Sequence, residues 1–417
     1  MKKGYLSTYF QGVAGKRLSE VEVNPNKSNQ HEFDGVSDLI KLFGVVNKGE
    51  RLTFEADFLY LNDDDPVSSG GYVTWYESRG DFYPKKGNGP KRFRTEHRLY
   101  YPTTNVSNNA SVGDLLIVAK RPEKSVLVII AEADSTIANQ IQWLFGIDTS
   151  HHPGFSVREE LETEQDRLSF ASRIVLETIG VNVEETEDTF LDIMLSQFDG
   201  QFPDTKVFSD FARSKVSGLD PLENPDVTIT TWMDRELILF QTLERYLIGE
   251  RLKRGFIDEN GKTEVDAFLS TSLSVQNRRK SRAGHALENH LEELFRLHEI
   301  KFDRGKITEN KSKPDFLFPG HCEYHDSQFP EIRLSMLGVK TTCKDRWRQV
   351  LTEAKRIENK HLMTLEPGIS VNQTDEMKAN KLQLVVPESL HTSYVASQQG
   401  WLMSIRNFID MVLSRQV

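Results

Sequence analysis

Cysteine is nearly absent from this 417-residue sequence, which contains only Cys322 and Cys343. Two cysteines without paired spacing exclude a disulfide-stapled scaffold and a cysteine-rich zinc site. Long apolar runs are also missing, since no segment approaches the roughly 20 apolar residues that a membrane-spanning helix requires. The Met1-Lys2-Lys3 start is followed by no apolar segment of the signal-peptide kind. We therefore expect a cytoplasmic protein with no membrane partner.

The sequence has no general excess of positive charge. Lys and Arg number 52 against 62 Asp and Glu, and the formal net charge is −10. This balance excludes a uniformly basic nucleic-acid coat, so any DNA contact has to depend on local patches. Two patches exist, because residues 84–98 carry six basic side chains and residues 278–282 carry four. A chain of this length with 38% hydrophobic content can form two domains with sizeable cores.

The first part of the chain, residues 1–155, reads as a mainly β domain. Runs rich in Val, Ile, Phe and Tyr alternate with Asp, Asn, Gly and Pro clusters, which predicts a small β-barrel with flanking short helices. Residues 156–195 are rich in acidic side chains and contain one helical pattern, so we predict a partly helical hinge. Strands alternating with helices then predict an α/β domain over residues 196–417.

Three side chains between residues 312 and 358 have the chemistry of metal-assisted phosphodiester cleavage. Asp315 precedes one apolar run and Lys340 closes another, so each should lie at the end of a β-strand. From Asp345 onward apolar residues recur with helical spacing, which predicts a helix that carries Glu353 on its polar face. Carboxylates can hold a divalent cation, and a lysine can polarise or deprotonate water. The sequence therefore predicts a hydrolytic site of Asp315, Lys340 and Glu353.

The start of this predicted helix allows two interpretations. Lys344, Asp345 and Arg346 could contact base edges in the major groove, since Arg or Lys suits guanine O6 and N7 and an acidic side chain suits the cytosine amino group. Mixed charge is equally typical of a solvated, salt-bridged helix start. Composition alone favours the solvated helix.

A further carboxylate comes from a helix predicted over residues 281–298. At roughly 100 degrees per residue, Glu288 lies at the rim of the buried stripe and Glu292 lies farther round. We expect Glu288 to be held firmly and to reach a metal, and Glu292 to be a solvated charge. Residues 321–326 contain further potential ligands, but they lack two well-spaced ligand pairs, so no zinc site is predicted there.

These stretches resemble the EcoRII-like restriction endonucleases, a family that cuts CCNGG sites. The likeness is carried by Lys340-Thr-Thr-Cys-Lys-Asp-Arg-Trp-Arg-Gln349, by Lys313-Pro-Asp-Phe-Leu-Phe-Pro319 and by Asn277-Arg-Arg-Lys-Ser-Arg-Ala-Gly284. It extends, with gaps, over about residues 197–390. The resemblance implies a restriction-endonuclease-like core of the PD-(D/E)xK type in the C-terminal domain.

The resemblance also implies roles for individual residues. Mg2+ would be the cofactor, Asp315, Glu353 and Glu288 would hold it, and Lys340 would orient or deprotonate the attacking water. The usual second acid of this core stands two residues before the lysine, where this chain has Gly338. Glu353 matches the migrated acid of the EcoRII and Ecl18kI-like branch. Lys280 and Arg282 resemble family positions near the scissile phosphate, so the resemblance implies that they contact it.

The implied activity is that of a type II restriction endonuclease that leaves 5′-phosphates. It would act as a homodimer on double-stranded DNA, at a near-palindromic site with CC and GG half-sites, and its genetic partner would be a cognate DNA methyltransferase. The family extrudes the central base pair with an arginine and an aromatic residue on the long helix predicted over residues 232–248. The matching positions here are Met233 and Leu237, with Trp232 and Arg235 nearby.

The N-terminal domain is similar to the B3-like effector domain of the same family, a pseudobarrel that binds a second copy of the target. The likeness is carried by Gly15-Lys-Arg-Leu-Ser19 and by the order of aromatic and basic blocks. We expect DNA contacts from four basic residues of this domain, namely Arg79, Lys91, Arg92 and Arg94. A solvated hairpin loop is the alternative interpretation of the same residues.

Two other functions remain possible from the sequence. The chain could be a DNA-binding regulator whose nuclease core is catalytically silent, although the complete set of Asp315, Lys340 and Glu353 argues against this. It could also be a modification-dependent enzyme whose N-terminal domain reads methylated cytosine.

Overall fold

The computed structural model describes residues 4–23, 31–33, 36–64, 66–79, 81–83, 92–149, 154–183, 187–257, 261 and 263–417, without the side chains of residues 81–83, 92–94, 280, 310 and 345. The chain divides into two compact units. Unit 1 contains Met1–Leu168, Ser172–Val181 and Gly368–Ser370, and unit 2 contains the remaining residues. Among the described residues, no helix is both long enough and apolar enough to cross a bilayer.

Unit 1 is built on an eight-stranded mixed sheet and a two-stranded ribbon. Its strands are β1 (Gly12–Arg17), β2 (Glu32–Phe33), β3 (Arg51–Leu61), β4 (Val67–Glu77), β5 (Asp81–Tyr83), β6 (Arg92–Arg94), β7 (His97–Tyr100), β8 (Leu115–Lys120), β9 (Val126–Ala131) and β10 (Ser156–Arg158). The large sheet has the order β10-β1-β8-β9-β3-β4-β7-β2, and β5 pairs with β6. Its neighbouring strands are antiparallel except for the parallel pair of β3 and β9.

The helices of unit 1 are short, and the core lies against the sheet. They are α1 (Glu20–Val23), α2 (Ile40–Phe43), α3 (Asn105–Asn109), α4 (Thr136–Phe145) and most of α5 (Phe170–Thr178). The α4 helix begins where the Ser135 hydroxyl accepts the Ala138 N–H at 3.2 Å and ends at Gly146, whose φ is 56°. Trp75 and Phe58 are among the buried residues of the core. The predicted mainly β character of this part is confirmed, and the B3-like pseudobarrel stays a prediction.

The division between the units differs from the predicted bounds. The stretch expected to form a hinge begins with β10, which pairs with β1 in the large sheet through Ser156 and Arg158. Leu161 is buried, and its carbonyl accepts the Ser7 N–H at 3.1 Å. Asp166 is buried and paired with Arg158 at 3.0 Å. Residues 156–168 therefore belong to unit 1 and do not form the predicted hinge, despite their acidic composition.

Unit 2 contains a five-stranded sheet in the order β11-β12-β13-β14-β15. The strands are β11 (Asp303–Arg304), β12 (Phe316–Phe318), β13 (Ser335–Lys340), β14 (Lys360–Thr364) and β15 (Leu382–Val385). The first three are antiparallel, and the last three run parallel. The short apolar β12 and β13 are buried except at Lys340, so their polar end residues are brought to the edge of a rigid support.

Helices surround this sheet, and two of them are long. They are α6 (Leu191–Gln197), α7 (Thr205–Ser214), α8 (Pro225–Arg254), α9 (Val265–Leu297), α10 (His321–His325), α11 (Trp347–Val350), α12 (Val371–Ala379), α13 (Ala396–Gln399) and α14 (Ile405–Gln416). The α8 and α9 helices extend beyond the predicted bounds at residues 232–248 and 281–298. The predicted α/β architecture of this part of the chain is confirmed.

The helix that was expected to carry Glu353 is much shorter than predicted. A 3-10 turn spans Lys344–Arg346, α11 ends at Val350, and Glu353 lies in the turns that follow. Ala354 has a positive φ of 45°, which a continuing α-helix cannot contain. The apolar spacing through Ile357 therefore reflects burial of one side of a turn and not a continuous helix.

Candidate active site

Two neighbouring strands bring Asp315 and Lys340 together. Phe316 pairs with Leu337 across β12 and β13, so Asp315 lies just before one strand and Lys340 at the end of the other. Lys340 Nζ is 3.2 Å from Asp315 Oδ2, and both side chains are 20% exposed. The same carboxylate oxygen accepts the Val339 N–H at 2.6 Å. The acid and the lysine are therefore fixed together in a half-buried position that solvent can still reach.

Gly338 explains why a second acid is not placed on β13 beside Lys340. A Cβ atom at Gly338 would lie 2.8 Å from Cγ2 and 3.1 Å from Cγ1 of Val350, which packs onto the strand from α11. A carboxylate side chain at this position would displace α11. The crossover from β13 to β14 instead carries the acid in a later turn, at Glu353.

Glu353 is half-buried, and its charge is affected by the two residues just described. Burial, and secondly the negative charge of Asp315, raise the pKa of Glu353 to about 7, while Lys340 and Lys360 oppose the rise. The buried Oε2 atom has no hydrogen-bond partner in the part of the chain that the structure describes. Two carboxylates that repel each other, one with a free buried oxygen, are a donor set that suits a hard divalent cation.

Glu288 does not complete a three-carboxylate group with this pair. Its Oε2 accepts from the Arg304 guanidinium at 2.7 Å. Among the described residues, no group of three or more His, Cys, Asp or Glu side chains is placed to hold a metal. Glu288 does lie at the rim of its helix as predicted, but Arg304 already neutralises it. Local sequence pattern contains no signal for Arg304 as this partner, because Arg304 belongs to a two-residue strand.

The prediction that Glu292 is a solvated charge is wrong. Glu292 is 7% exposed and forms ion pairs with Lys206 at 2.9 Å, with Arg304 at 2.7 Å and with Arg296. These cations hold the pKa of the Glu292 carboxyl below its usual value, although burial opposes them. Partners from α7 and β11 make this burial possible, and a single-helix projection cannot include them.

The predicted base-reading residues follow β13 in an exposed segment. Lys344 and Arg346 are exposed, and the side chain of Asp345 lies outside the described residues. The Arg346 guanidinium donates to the carbonyl and hydroxyl oxygens of Thr342, both at 2.9 Å. The buried Glu366 carboxylate accepts the backbone N–H of Cys343. This hydrogen bond connects the segment to the buried part of unit 2.

The two predicted phosphate contacts have different outcomes. The side chain of Lys280 lies outside the described residues. Arg282 is 8% exposed, its guanidinium lies over the rings of Phe202, Phe208 and Phe240, and it donates to the Pro203 carbonyl. Burial lowers the pKa of Arg282. In this position Arg282 packs the helices together, and a phosphate contact would require it to leave them.

The residues near the predicted base-extrusion positions are also committed to packing. Trp232 and Met233 are buried, and the Arg213 guanidinium lies 5.6 Å from the centroid of the Trp232 ring. Arg235 is paired with Glu187. None of these three side chains is presented to solvent as a free wedge.

Only one of the four N-terminal candidates has a described side chain. Arg79 follows β4 and is paired with Glu96. Lys91 lies outside the described residues, and Arg92 and Arg94 begin and end β6 with side chains outside the described ones. The predicted DNA contacts of this group stay predictions.

The C-terminal part of the chain is similar to known proteins. Residues 240–409 match the family described as EcoRII C terminal. The Type II restriction enzyme EcoRII of Escherichia coli is 44% identical over 187 residues, which are 45% of this chain and 45% of that enzyme. The predicted resemblance to EcoRII-like restriction endonucleases is confirmed. This EcoRII-like region, residues 240–409, contains Glu288, Asp315, Lys340 and Glu353.

Solved structures of restriction endonucleases are also similar to this chain. Metal-depleted Ecl18kI in complex with uncleaved DNA is 18% identical, with a TM-score of 0.44, and the likeness covers 55% of this chain and 84% of that chain. PspGI in a complex with substrate DNA is 13% identical, with a TM-score of 0.39, over 56% of this chain and 93% of that one. The match to EcoRII itself spans less than half of that enzyme's length.

Proposed function

We propose that this chain is a type II restriction endonuclease that hydrolyses double-stranded DNA at a near-palindromic site with CC and GG half-sites. The observation that supports this most strongly is the 3.2 Å contact of Lys340 Nζ with Asp315 Oδ2. Glu353 is close to this pair, since the charge of Asp315 adds to the effect of burial in raising the pKa of Glu353. These residues lie inside the EcoRII-like region. A lysine and two carboxylates in one group are the residue types that metal-assisted hydrolysis of a phosphodiester uses.

The residues of the site have distinct tasks in this proposal. Asp315 and Glu353 would hold a divalent cation, which we propose is Mg2+ and which would stabilise negative charge on the reacting phosphate. Lys340 Nζ, held by Asp315 Oδ2 and the Val339 carbonyl at 3.0 Å, is positioned to donate a hydrogen bond to the attacking water and orient it. Glu288 is the third proposed ligand, and reaching the cation would require it to exchange its Arg304 partner.

Recognition is proposed to depend on the exposed segment after β13. Lys344, Asp345 and Arg346 would read base edges, and Lys280 would contact a phosphate. A two-fold symmetric site calls for a homodimer, because each half-site then meets the same surface. The products would carry 5′-phosphates, and a cognate DNA methyltransferase would protect the host site. Unit 1, with Arg79, Lys91, Arg92 and Arg94, is proposed to bind DNA as an effector or targeting module.

A cleavage assay with the full chain tests this function. Plasmid DNA incubated with the protein and Mg2+ should give discrete fragments, and the same mixture with EDTA should give none. Sequencing of the cleaved ends gives the site and the overhang. Specific DNA binding without cleavage in Mg2+ or Mn2+ would contradict the proposal and favour a catalytically silent regulator. Cleavage restricted to methylated plasmid would instead indicate a modification-dependent enzyme.

A further inference from the structure

A buried lysine lies beneath the turn that carries Glu353. Lys360 is the first residue of β14 and is only 6% exposed. Its ammonium donates to the carbonyl of Ala354 at 3.2 Å and to the carbonyl of Ile357 at 2.6 Å. Burial of an ammonium group is unfavourable unless hydrogen bonds compensate it. The two hydrogen bonds compensate the buried ammonium of Lys360, and they connect it to the turn that follows Glu353.

The turn that Lys360 binds has an unfavourable backbone conformation. Ala354 is fully buried and has a φ of 45°, a region that residues with a Cβ atom seldom adopt. The Ala354 carbonyl accepts the Ile357 N–H at 2.9 Å, which closes the turn. The Lys360 ammonium adds a second bond to the Ala354 carbonyl and binds the Ile357 carbonyl at the other end of the turn. Such a turn persists only when the surrounding structure determines it, and Lys360 is part of that structure.

The outer side of the same turn is also fixed. The Tyr324 hydroxyl donates to both carboxylate oxygens of Glu309, at 2.6 and 2.7 Å. Glu309 in turn accepts the Lys355 N–H at 3.3 Å. The Arg356 guanidinium donates to the carbonyls of Asp326 at 2.9 Å and Phe329 at 3.0 Å. Lys360 is thus the inner support of a segment whose outer side is already held.

The position of the Glu353 carboxylate follows from these supports. Glu353 directly precedes Ala354, and its buried Oε2 has no hydrogen-bond partner within the described residues. Asp315 repels it, whereas the positive charges of Lys340 and Lys360 attract it. Burial lowers the pKa of the Lys360 ammonium, and the negative charges of Glu309 and Glu353 oppose this. Lys360 therefore acts on Glu353 both through the backbone and through its charge.

We propose that Lys360 is a positioning residue of the candidate nuclease site, whose buried ammonium holds the turn from Ala354 to Ile357 and so sets Glu353 against Asp315 and Lys340. The inference rests on the proposed nuclease function and deepens it. Lys360 touches neither DNA nor a cation in this proposal. Its effect is on where the Glu353 carboxylate lies.

Three variants of the full chain test the proposal. Lys360→Met removes the ammonium and keeps the length of the side chain, whereas Lys360→Arg keeps a cation. Lys381→Met is the matched control, since the ammonium of the exposed Lys381 pairs with the exposed Glu358, and the substitution keeps the Lys381 carbonyl, which accepts the Lys360 N–H at 3.0 Å. The substrate is a DNA duplex that carries the cleavage site mapped with the unaltered chain. The readouts are the single-turnover cleavage rate, the Mg2+ concentration that gives half of the maximal rate, and DNA affinity in Ca2+ and in EDTA.

For Lys360→Met we expect a cleavage rate about 100-fold lower, the effect of displacing a reacting group by about an ångström. The half-maximal Mg2+ concentration should rise at least about tenfold, because the cation loses a well-placed ligand. DNA affinity in EDTA should stay unchanged, while the gain in affinity that Ca2+ gives should be lost. Lys360→Arg should recover part of the rate, and Lys381→Met should match the unaltered chain.

Several outcomes would overturn the inference. Lys360→Met could cleave at the unaltered rate with the same Mg2+ dependence, or it could lose DNA affinity equally in Ca2+ and EDTA, which would indicate a merely structural role. If Lys360→Met does not fold, Lys360→Gln keeps a polar group there but is uncharged and one atom shorter, so it cannot bond both carbonyls as the ammonium does. Unaltered cleavage by Lys360→Gln would also overturn the inference. An unaltered chain that never cleaves in Mg2+ would instead contradict the proposed function itself.

Discussion

Lys340 Nζ lies 3.2 Å from Asp315 Oδ2 at the edge shared by two antiparallel strands. This contact predicts that Lys340→Ala abolishes cleavage but leaves DNA binding intact, because the ammonium orients water and does not read bases. Loss of such a group typically lowers the rate by about 10²- to 10⁴-fold. Cleavage in Mg2+ and DNA affinity in Ca2+ should be measured side by side, with the exposed Lys381→Ala as the control. Equal losses of affinity and rate would assign Lys340 to DNA binding.

Glu353 and Asp315 predict a gain of stability when one charge is removed. In the absence of divalent cations, Glu353→Gln should raise the free energy of unfolding by about 1 kcal/mol at pH 8, because it relieves a buried like-charge interaction. The same variant should be inactive and should gain no stability from Mg2+. Thermal unfolding in EDTA and in Mg2+ measures both effects, and Glu358→Gln serves as the exposed control. A less stable Glu353→Gln protein in EDTA would show that the carboxylate is a structural group.

The sequence was sufficient to predict that Asp315 and Lys340 lie at neighbouring strand ends, and there are physical reasons for this. Asp315 directly precedes β12 and Lys340 ends β13, and neighbouring strands in an antiparallel pair bring such ends together. The chemistry at those ends then follows from residue type alone. Gly338 is equally readable, because a residue without a side chain cannot supply an acid.

The surroundings of Glu353 and Glu292 could not be predicted from local pattern. The apolar spacing through Ile357 is genuine, but α11 ends at Val350 and the Ile357 carbonyl accepts from the Lys360 ammonium. Glu292 is buried because Lys206 and Arg304 reach it from other elements. In both cases a charged partner that is distant along the chain decides the outcome, and periodicity within one element contains no information on it.

Arg346 predicts a change in specificity rather than in overall affinity. Its exposed guanidinium is held by Thr342 and is suited to a guanine edge, so Arg346→Ala should lose about 1–3 kcal/mol of discrimination at one base pair. Binding to duplexes that carry each substitution in the mapped site measures this. Arg348→Ala is the matched control, because Arg348 is paired with Glu376 at 2.7 Å. A uniform loss across all duplexes would reassign Arg346 to phosphate contact.

His361 predicts how acid destabilises unit 2. The imidazole is 3% exposed, it packs against Phe408 at a centroid distance of 5.2 Å, and its buried Nδ1 has no hydrogen-bond partner among the described residues. Burial, and secondly the charge of Arg415, lower the pKa of His361 from 6.5 to about 4. A depressed folded-state pKa gives a contribution to stability that is complete above pH 6.5 and is lost as the pH falls towards 4.

The His361→Leu variant isolates that contribution. Between pH 7 and pH 4 the unaltered chain should lose up to roughly 3 kcal/mol more of its free energy of unfolding than the variant, which is the shift converted at about 1.4 kcal/mol per pKa unit. Urea unfolding at closely spaced pH values measures the difference, and His325→Leu, at an exposed histidine, should follow the unaltered chain. Parallel curves for His361→Leu and the unaltered chain would contradict this prediction. They would mean that protonation of His361 does not lower the free energy of unfolding, although the imidazole is buried.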